Sequence, residues 1–143
     1  MGGIDIPHDR HMIGHSDADV LLHAITDALL GAAALGDIGQ MFPDTDPINR
    51  GRNSAEMLLA ARDAVTAVGL RIVNIDCIVF AQRPRLLPYR QTVRERIADV
   101  LGIEIERIGL KGKTGEGLGP VGLEEALSAE CVALLERTEV LKP

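Results

Sequence analysis

Aromatic side chains are almost absent from this sequence of 143 residues, which contains two Phe, one Tyr and no Trp. Apolar residues nevertheless make up 46% of the chain, so its core must be built from Leu, Ile, Val and Ala. A chain of this length is long enough to bury a sizeable core within one domain. We therefore predict a single domain over residues 1–143 with an aliphatic core.

Basic charge, long apolar runs and a targeting segment are lacking as well. The formal net charge of −6 disfavours a nucleic-acid partner. No apolar run reaches the length of a membrane span, and the start MGGIDIPH has no charged leader pattern. The two cysteines, Cys77 and Cys131, have no metal or redox spacing, so we expect two buried, reduced thiols. These features predict a cytoplasmic protein without nucleic-acid or membrane partners.

The most informative stretch runs from His15 to Asp46 and reads HSDADVLLHAITDALLGAAALGDIGQMFPDTD. Its Ala- and Leu-rich centre favours a helix from about Asp17 to Leu35. Ser16 is the expected N-cap, with Asp19 completing a capping box, and Gly36 is the expected left-handed cap. Asp19, His23 and Asp27 are spaced by four residues and share one helix face, where either carboxylate could orient the His23 ring.

Further elements follow from periodicity, caps and turn residues. Alone, a His on a helix, an Asp near a helix start and a PDTD turn are each ordinary structural features. The pattern predicts a short strand at residues 4–7, a helix from Ser54 to about Val68, a strand from Arg71 to Ala81, a helix from Tyr89 to Leu101, a strand from Ile105 to Lys111 and a glycine-rich loop from Thr114 to Gly122. Residues 124–137 have the composition of a helix, and periodicity does not decide between helix and strand.

The order of the motifs HSDAD, His23, Asp27, GDIG and FPDTDP resembles the 2-C-methyl-D-erythritol 2,4-cyclodiphosphate synthase family, over nearly the whole chain. The resemblance implies an α/β fold of the α+β type, a two-layer sandwich with a mixed β-sheet and helices on one face. It makes residues 124–137 the last strand. It also implies a homotrimer with active sites between neighbouring subunits.

The reaction implied by the resemblance is a metal-dependent cyclisation of 4-diphosphocytidyl-2-C-methyl-D-erythritol 2-phosphate, with release of CMP. The expected partner is therefore this small cytidine diphosphate substrate. Because both reacting groups are anionic, the barrier is mainly repulsion and misorientation, which cations and fixed donors relieve.

The resemblance also implies roles for individual residues. His15 and Thr114 are expected in catalysis, His23 as a Zn²⁺ ligand, and Glu116 as a ligand for Mg²⁺ or Mn²⁺ held through the phosphates. Substrate binding is expected for His15, Ser16, Asp37, Ile38, Gly39, Phe42, Pro43, Asp44, Thr45, Asp46, Ala81, Gln82, Arg83, Pro84, Arg85, Leu86, Leu87, Lys113, Thr114 and Glu116.

The chain departs from the family pattern at its start. The family's first strand carries an Asp-x-His pair that supplies two further zinc ligands, and this chain begins after that strand, so it is N-terminally truncated relative to the family. Asp5 and His8 do not reproduce the spacing. This departure is compatible with a misplaced start codon, with a shortened chain or with a chain that has lost the catalytic activity. Lys113, Pro120 and Leu123 also depart from common family residues, which bears on ligand binding along the trimer axis.

Two other functions stay open. The first is a non-catalytic, trimeric member that keeps the cytidine pocket but lacks a complete metal site. The second is a His/Asp metal hydrolase, which would have to recruit His8 and His11.

Overall fold

The structure, a computed structural model, describes residues 1–7 and 19–139. Its helices and strands follow in the order α1 (Val20–Ala32), α2 (Ile38–Met41), α3 (Ser54–Ala67), β1 (Leu70–Phe80), α4 (Arg90–Leu101), β2 (Ile108–Lys113), α5 (Gly119–Gly122) and β3 (Ser128–Arg137). Single 3₁₀ turns occupy Pro47–Asn49, Leu87–Tyr89 and Ile105–Arg107.

Strand β1 is the centre of a three-stranded sheet with the order β2-β1-β3. It pairs with β2 in parallel and with β3 in antiparallel orientation, so the sheet is mixed. The parallel pair is joined by a crossover that contains α4, as parallel strands require. The predicted mixed sheet is confirmed.

Alternation along β1 separates the two faces of the sheet. Ile75, Cys77 and Val79 are at most 1% exposed, whereas Asn74 and Asp76, each directly before one of them, are exposed. Apolar side chains of α1, α3 and α4 join the buried face in one core, which contains no aromatic residue in its buried set. The predicted helix layer on one face and the aliphatic core are therefore confirmed.

Asp19, rather than a residue earlier in the chain, caps the first helix. Its carboxylate accepts a hydrogen bond from the N–H of Leu22 at 3.1 Å, and α1 begins at Val20. The same carboxylate accepts from the N–H groups of Gly2 (3.0 Å) and Gly3 (2.9 Å). The predicted start at Asp17 is thus three residues early, while Ser16 lies outside the described residues.

Other element boundaries also differ from the prediction. Residues 4–7 form no strand, because the chain is held in a turn by its contacts with Asp19. Helix α1 ends at Ala32, and Ala34 takes a left-handed φ of 56° ahead of Gly36. Strand β2 begins at Ile108 because Ile105–Arg107 forms a 3₁₀ turn. The glycine-rich loop contains α5, and β3 begins at Ser128.

The helix predicted from Ser54, the strand from Arg71 and the helix that Gly102 ends are confirmed within one or two residues. Gly102 has a left-handed φ of 66°, which glycine adopts without strain. The segment of helical composition is the last strand, as the family resemblance implied. Among the described residues, no helix has the length and apolar character needed to cross a membrane.

We expect Asp19→Ala to destabilise the fold by about 1 to 3 kcal/mol, because it removes the cap of α1 and the acceptor for two further N–H groups. Urea unfolding followed by circular dichroism measures this. Asp5→Ala is the matched control, since Asp5 is exposed near the same turn. Equal stability of the two variants would contradict the role assigned to Asp19.

Candidate functional site

His23 lies in the middle of α1 and is half-buried. Its Nε2 is 2.7 Å from Oγ of Ser54, which is fully buried at the start of α3. This contact joins two helices and restricts the orientation of the His23 ring.

Asp27, one helical turn beyond His23, forms a hydrogen bond with the segment that follows α1. Its Oδ1 accepts a hydrogen bond from the N–H of Ile38 at 2.7 Å. Asp37 caps α2 by accepting from the N–H of Gln40 at 2.8 Å. The sequence analysis considered Asp19 and Asp27 as partners for the His23 ring. Both carboxylates instead accept from backbone N–H groups, and the ring contact resolved is with Ser54.

The PDTD segment is supported by a buried side chain. Asn49, only 3% exposed, donates to the carbonyl of Pro43 at 2.8 Å and accepts from Arg52 at 3.1 Å. The guanidinium of Arg52 lies 4.7 Å from the centre of the buried Phe42 ring, in a cation–π arrangement. Asp44, Thr45 and Asp46 are exposed, so their side chains face solvent from a fixed loop.

A cavity of about 360 Å³ lies beside the ends of the two parallel strands. Four cationic residues line it, and no Asp or Glu among the described residues does. The full lining is Val79, Ala81, Arg85, Leu86, Leu87, Arg90, Leu110, Lys111, Gly112, Lys113 and Thr114. One of the cations, Lys111, is held by Asp76 at 2.8 Å on the outer sheet face. An apolar floor with a cationic rim suits a ligand that has both a ring and anionic groups.

Backbone hydrogen bonds hold the two loops of this cavity together. The N–H of Ala81 donates to the carbonyl of Lys113 at 2.9 Å, which extends the parallel pairing beyond β1. Oγ1 of Thr114 accepts from the N–H of Glu116 at 3.2 Å, in a short turn where Glu116 has a φ of 53°. The side chains of Thr114 and Glu116 are therefore presented at the exit of β2, and both are exposed.

The predicted site residues fall into two groups in one subunit. The first group contains His23 and residues 37–46. The second contains residues 81–87 with Lys113, Thr114 and Glu116. Of the second group, Arg83 pairs with Glu124 at 3.4 Å and Gln82 accepts from the N–H of Gly117 at 3.4 Å. No member of the first group lines the cavity. His15 and Ser16 lie outside the described residues.

The described residues do not form a complete metal centre. Over residues 1–7 and 19–139, no group of three or more His, Cys, Asp or Glu side chains is placed to hold a metal ion. Zinc sites in proteins use three or four such ligands, so His23 alone does not fit a closed site. Glu116 likewise stands as a single carboxylate.

Three residues of the candidate site, Ser54, Arg90 and Lys111, were not predicted from the sequence. Ser54 was noticed only as the beginning of a helix, and its contact with His23 spans 31 residues of sequence. Arg90 and Lys111 line the cavity without belonging to any motif. The parallel order of β1 and β2 is the signal that could have located them, since residues following neighbouring parallel strands meet at one edge.

Fold and site together define an α+β protein with a cation-lined cavity at the ends of its parallel strands. The YgbB family model matches residues 1–136, and the chain belongs to this family.

Individual relatives agree with this assignment. The chain is 53% identical over 135 residues to a 2-C-methyl-D-erythritol 2,4-cyclodiphosphate synthase from Gemmatimonas aurantiaca, covering 94% of this chain and 81% of the relative. A solved structure of such a synthase in its CDP-bound form superposes with a TM-score of 0.86 at 39% identity, covering 94% and 87%. The bifunctional IspDF from Campylobacter jejuni gives 0.92 at 40% identity, covering 96% of this chain and 37% of that one.

We expect Ser54→Ala to change the tautomer ratio of His23, because the ring loses the hydroxyl that contacts Nε2. Imidazole ¹⁵N chemical shifts measure that ratio directly. Stability should fall by about 1 kcal/mol, the usual value for a single buried hydrogen bond. Ser128→Ala is the control, since Ser128 is exposed on β3. Unchanged His23 shifts in Ser54→Ala would show that Ser54 does not set the ring state.

Proposed function

We propose that this chain cyclises 4-diphosphocytidyl-2-C-methyl-D-erythritol 2-phosphate to 2-C-methyl-D-erythritol 2,4-cyclodiphosphate and releases CMP. The observation that carries the proposal is the cavity whose wall contains Arg85, Arg90 and Lys113 and, among the described residues, no carboxylate. It is bounded by the loop 81–87, which the family resemblance assigns to cytosine. The CDP-bound relative supports a cytidine nucleotide as the ligand.

In this reaction an oxygen of the 2-phosphate attacks the β-phosphorus of the diphosphate. A new P–O bond closes the ring, the bond from the β-phosphorus to the bridging oxygen breaks, and CMP leaves with that oxygen. Both reacting groups are anionic, so bringing them together is opposed by charge repulsion. Arg85 and Lys113 at the cavity rim would offset that repulsion, and the Thr114 hydroxyl would donate to a phosphoryl oxygen.

The first group of residues completes the proposal for the remainder of the substrate. The carboxylate of Asp37 would accept hydrogen bonds from ribose hydroxyls, while residues 42–46 would cover the methylerythritol part. Because Asn49 and Arg52 hold that loop, its exposed carboxylates are pre-positioned rather than ordered on binding. His15 and Ser16 are proposed to contact phosphate.

The proposal assigns one ligand residue of this chain to each metal ion. His23 is the proposed Zn²⁺ ligand and Glu116 the proposed Mg²⁺ or Mn²⁺ ligand, and a divalent ion supplies charge neutralisation when bound. Since the described residues do not complete either centre, further donors must come from elsewhere for a closed site to form.

We propose a homotrimer, which is the assembly that the family resemblance implies. The first group does not line the cavity of its own subunit, so we propose that the first group of one subunit meets the cavity of another. The outer face of the sheet supports association, because Val132 is 74% and Leu134 58% exposed beside the half-buried Ile78. Exposed apolar side chains on one face favour burial against a neighbouring subunit. We place the assembly in the cytosol.

A second candidate is a non-catalytic member that binds cytidine nucleotides. It is favoured by one specific observation, the lack of a complete metal centre among the described residues beside an intact cavity. Turnover of the diphosphocytidyl substrate, followed as CMP release, distinguishes the two: measurable CMP supports the cyclase, while binding without release supports the second candidate.

We expect the chain to bind CMP more tightly than Zn²⁺, because the cavity is present and the metal ligands are incomplete. Isothermal titration calorimetry measures both. Arg85→Ala and Lys113→Ala should each weaken CMP binding by roughly 10-fold, the loss typical of one charge-assisted hydrogen bond. Arg137→Ala, at the far end of β3, is the control. Unchanged CMP affinity in both cavity variants, or tight stoichiometric Zn²⁺ binding, would contradict this assignment.

We expect Val132→Glu and Leu134→Glu to dissociate the trimer, because a charge on the outer sheet face cannot be buried without a partner. Analytical ultracentrifugation at micromolar concentration measures the mass. Val68→Glu is the matched control, since Val68 is 52% exposed at the end of α3, outside the sheet. A monomeric parent protein, or trimers that survive both sheet variants, would refute this interface.

A further inference from the structure

The two cysteines of the chain, 54 residues apart in sequence, are direct cross-strand neighbours in the fold. Cys77 of β1 and Cys131 of β3 are opposite each other in the antiparallel register. Their sulfur atoms are 3.3 Å apart, and both are free thiols. Opposite residues of an antiparallel pair have Cα atoms roughly 4.5 to 5.5 Å apart, within the range that a disulfide spans.

We propose that Cys77 and Cys131 form a dithiol site that a small-molecule disulfide oxidant converts to a cross-strand disulfide within the native subunit. The sulfur atoms need to approach by little more than one ångström, since the S–S bond length is about 2.0 Å. Side-chain rotation can supply this because the strand register already aligns the two Cβ atoms.

The difference in burial between the two cysteines determines which of them reacts first with the oxidant. Cys77 is fully buried, whereas Cys131 is partly accessible. The hydrogen bond to Cys131, followed by burial, raises the pKa of the Cys77 thiol, so Cys77 is a poor first nucleophile. Cys131 therefore attacks the oxidant first.

The exchange is balanced without any further redox partner. The Cys131 thiolate attacks one sulfur of the oxidant, forms a mixed disulfide and releases one thiol. Cys77 then loses its proton and attacks Cys131 Sγ, which forms the intramolecular bond and releases the second thiol. Two protein thiols and one disulfide thus become one protein disulfide and two small thiols.

The site is independent of the proposed subunit interface. Cys131 belongs to the inner, half-buried set of β3, whereas Val132 and Leu134 point to the opposite face. A disulfide here would tie the edge strand β3 to the central strand, while β3 also packs against α1. It would leave the register unchanged, because the paired residues are already opposite.

The test is to incubate the reduced protein with oxidised glutathione and follow intact mass and free thiols. We expect both thiols to disappear together, with a mass loss of two hydrogens and a Cys77–Cys131 cross-linked peptide on mapping.

Two variants check the order of steps. Cys77→Ser should accumulate the mixed disulfide on Cys131, and Cys131→Ser should not react in the folded state. A persistent glutathione adduct on the parent protein, disulfide-linked dimers, or closure only after unfolding would each overturn the proposal. Peptide mapping of the Cys77–Cys131 cross-link in the parent protein tests the proposal even if a variant fails to fold.

Discussion

The register of β1 is the constraint on which the remaining structure depends. It is the one strand, among residues 1–7 and 19–139, with partners along both edges, and its buried side chains form the floor on which three helices pack. A shift by a single residue would exchange Ile75 and Cys77 for Asn74 and Asp76 on that floor. The same register places Lys113 next to Ala81, so the cavity is fixed by the same pairing that fixes the core.

The elements that sequence reasoning located well carry local signals. Helix α3 has its Asn53 cap, α4 has Gly102, and β1 has its alternation. The ends of α1 were placed less well because the decisive partners of Asp19 are Gly2 and Gly3, which lie 16 and 17 residues away. Residues 128–137 form a strand despite their helical composition, since pairing with β1 outweighs intrinsic propensity.

The candidate site likewise contains some residues that sequence motifs indicated and others that they did not. Motifs identified Asp37, residues 42–46 and the loop 81–87, because these short segments are contiguous in sequence. Ser54, Arg90 and Lys111 carry no motif and became visible only through contacts across the fold. The pairing of Cys77 with Cys131 belongs with them, since its 54-residue separation gives no spacing rule to recognise. The roles assigned to all of these site residues, and to His15 and Ser16, stay predictions.

The hydrogen bond from Ala81 to Lys113 has a consequence for how the family can vary. Both walls of the cavity are continuations of adjacent parallel strands, whereas the connection between those strands, including α4, runs across the helix layer. Insertions or deletions near Gly102, at the surface turn after α4, would alter the length of that connection without altering the cavity walls. Evolutionary drift in the turn after α4 is thereby separated from ligand recognition, whereas the start of the same crossover contributes Arg85, Leu86, Leu87 and Arg90 to the cavity.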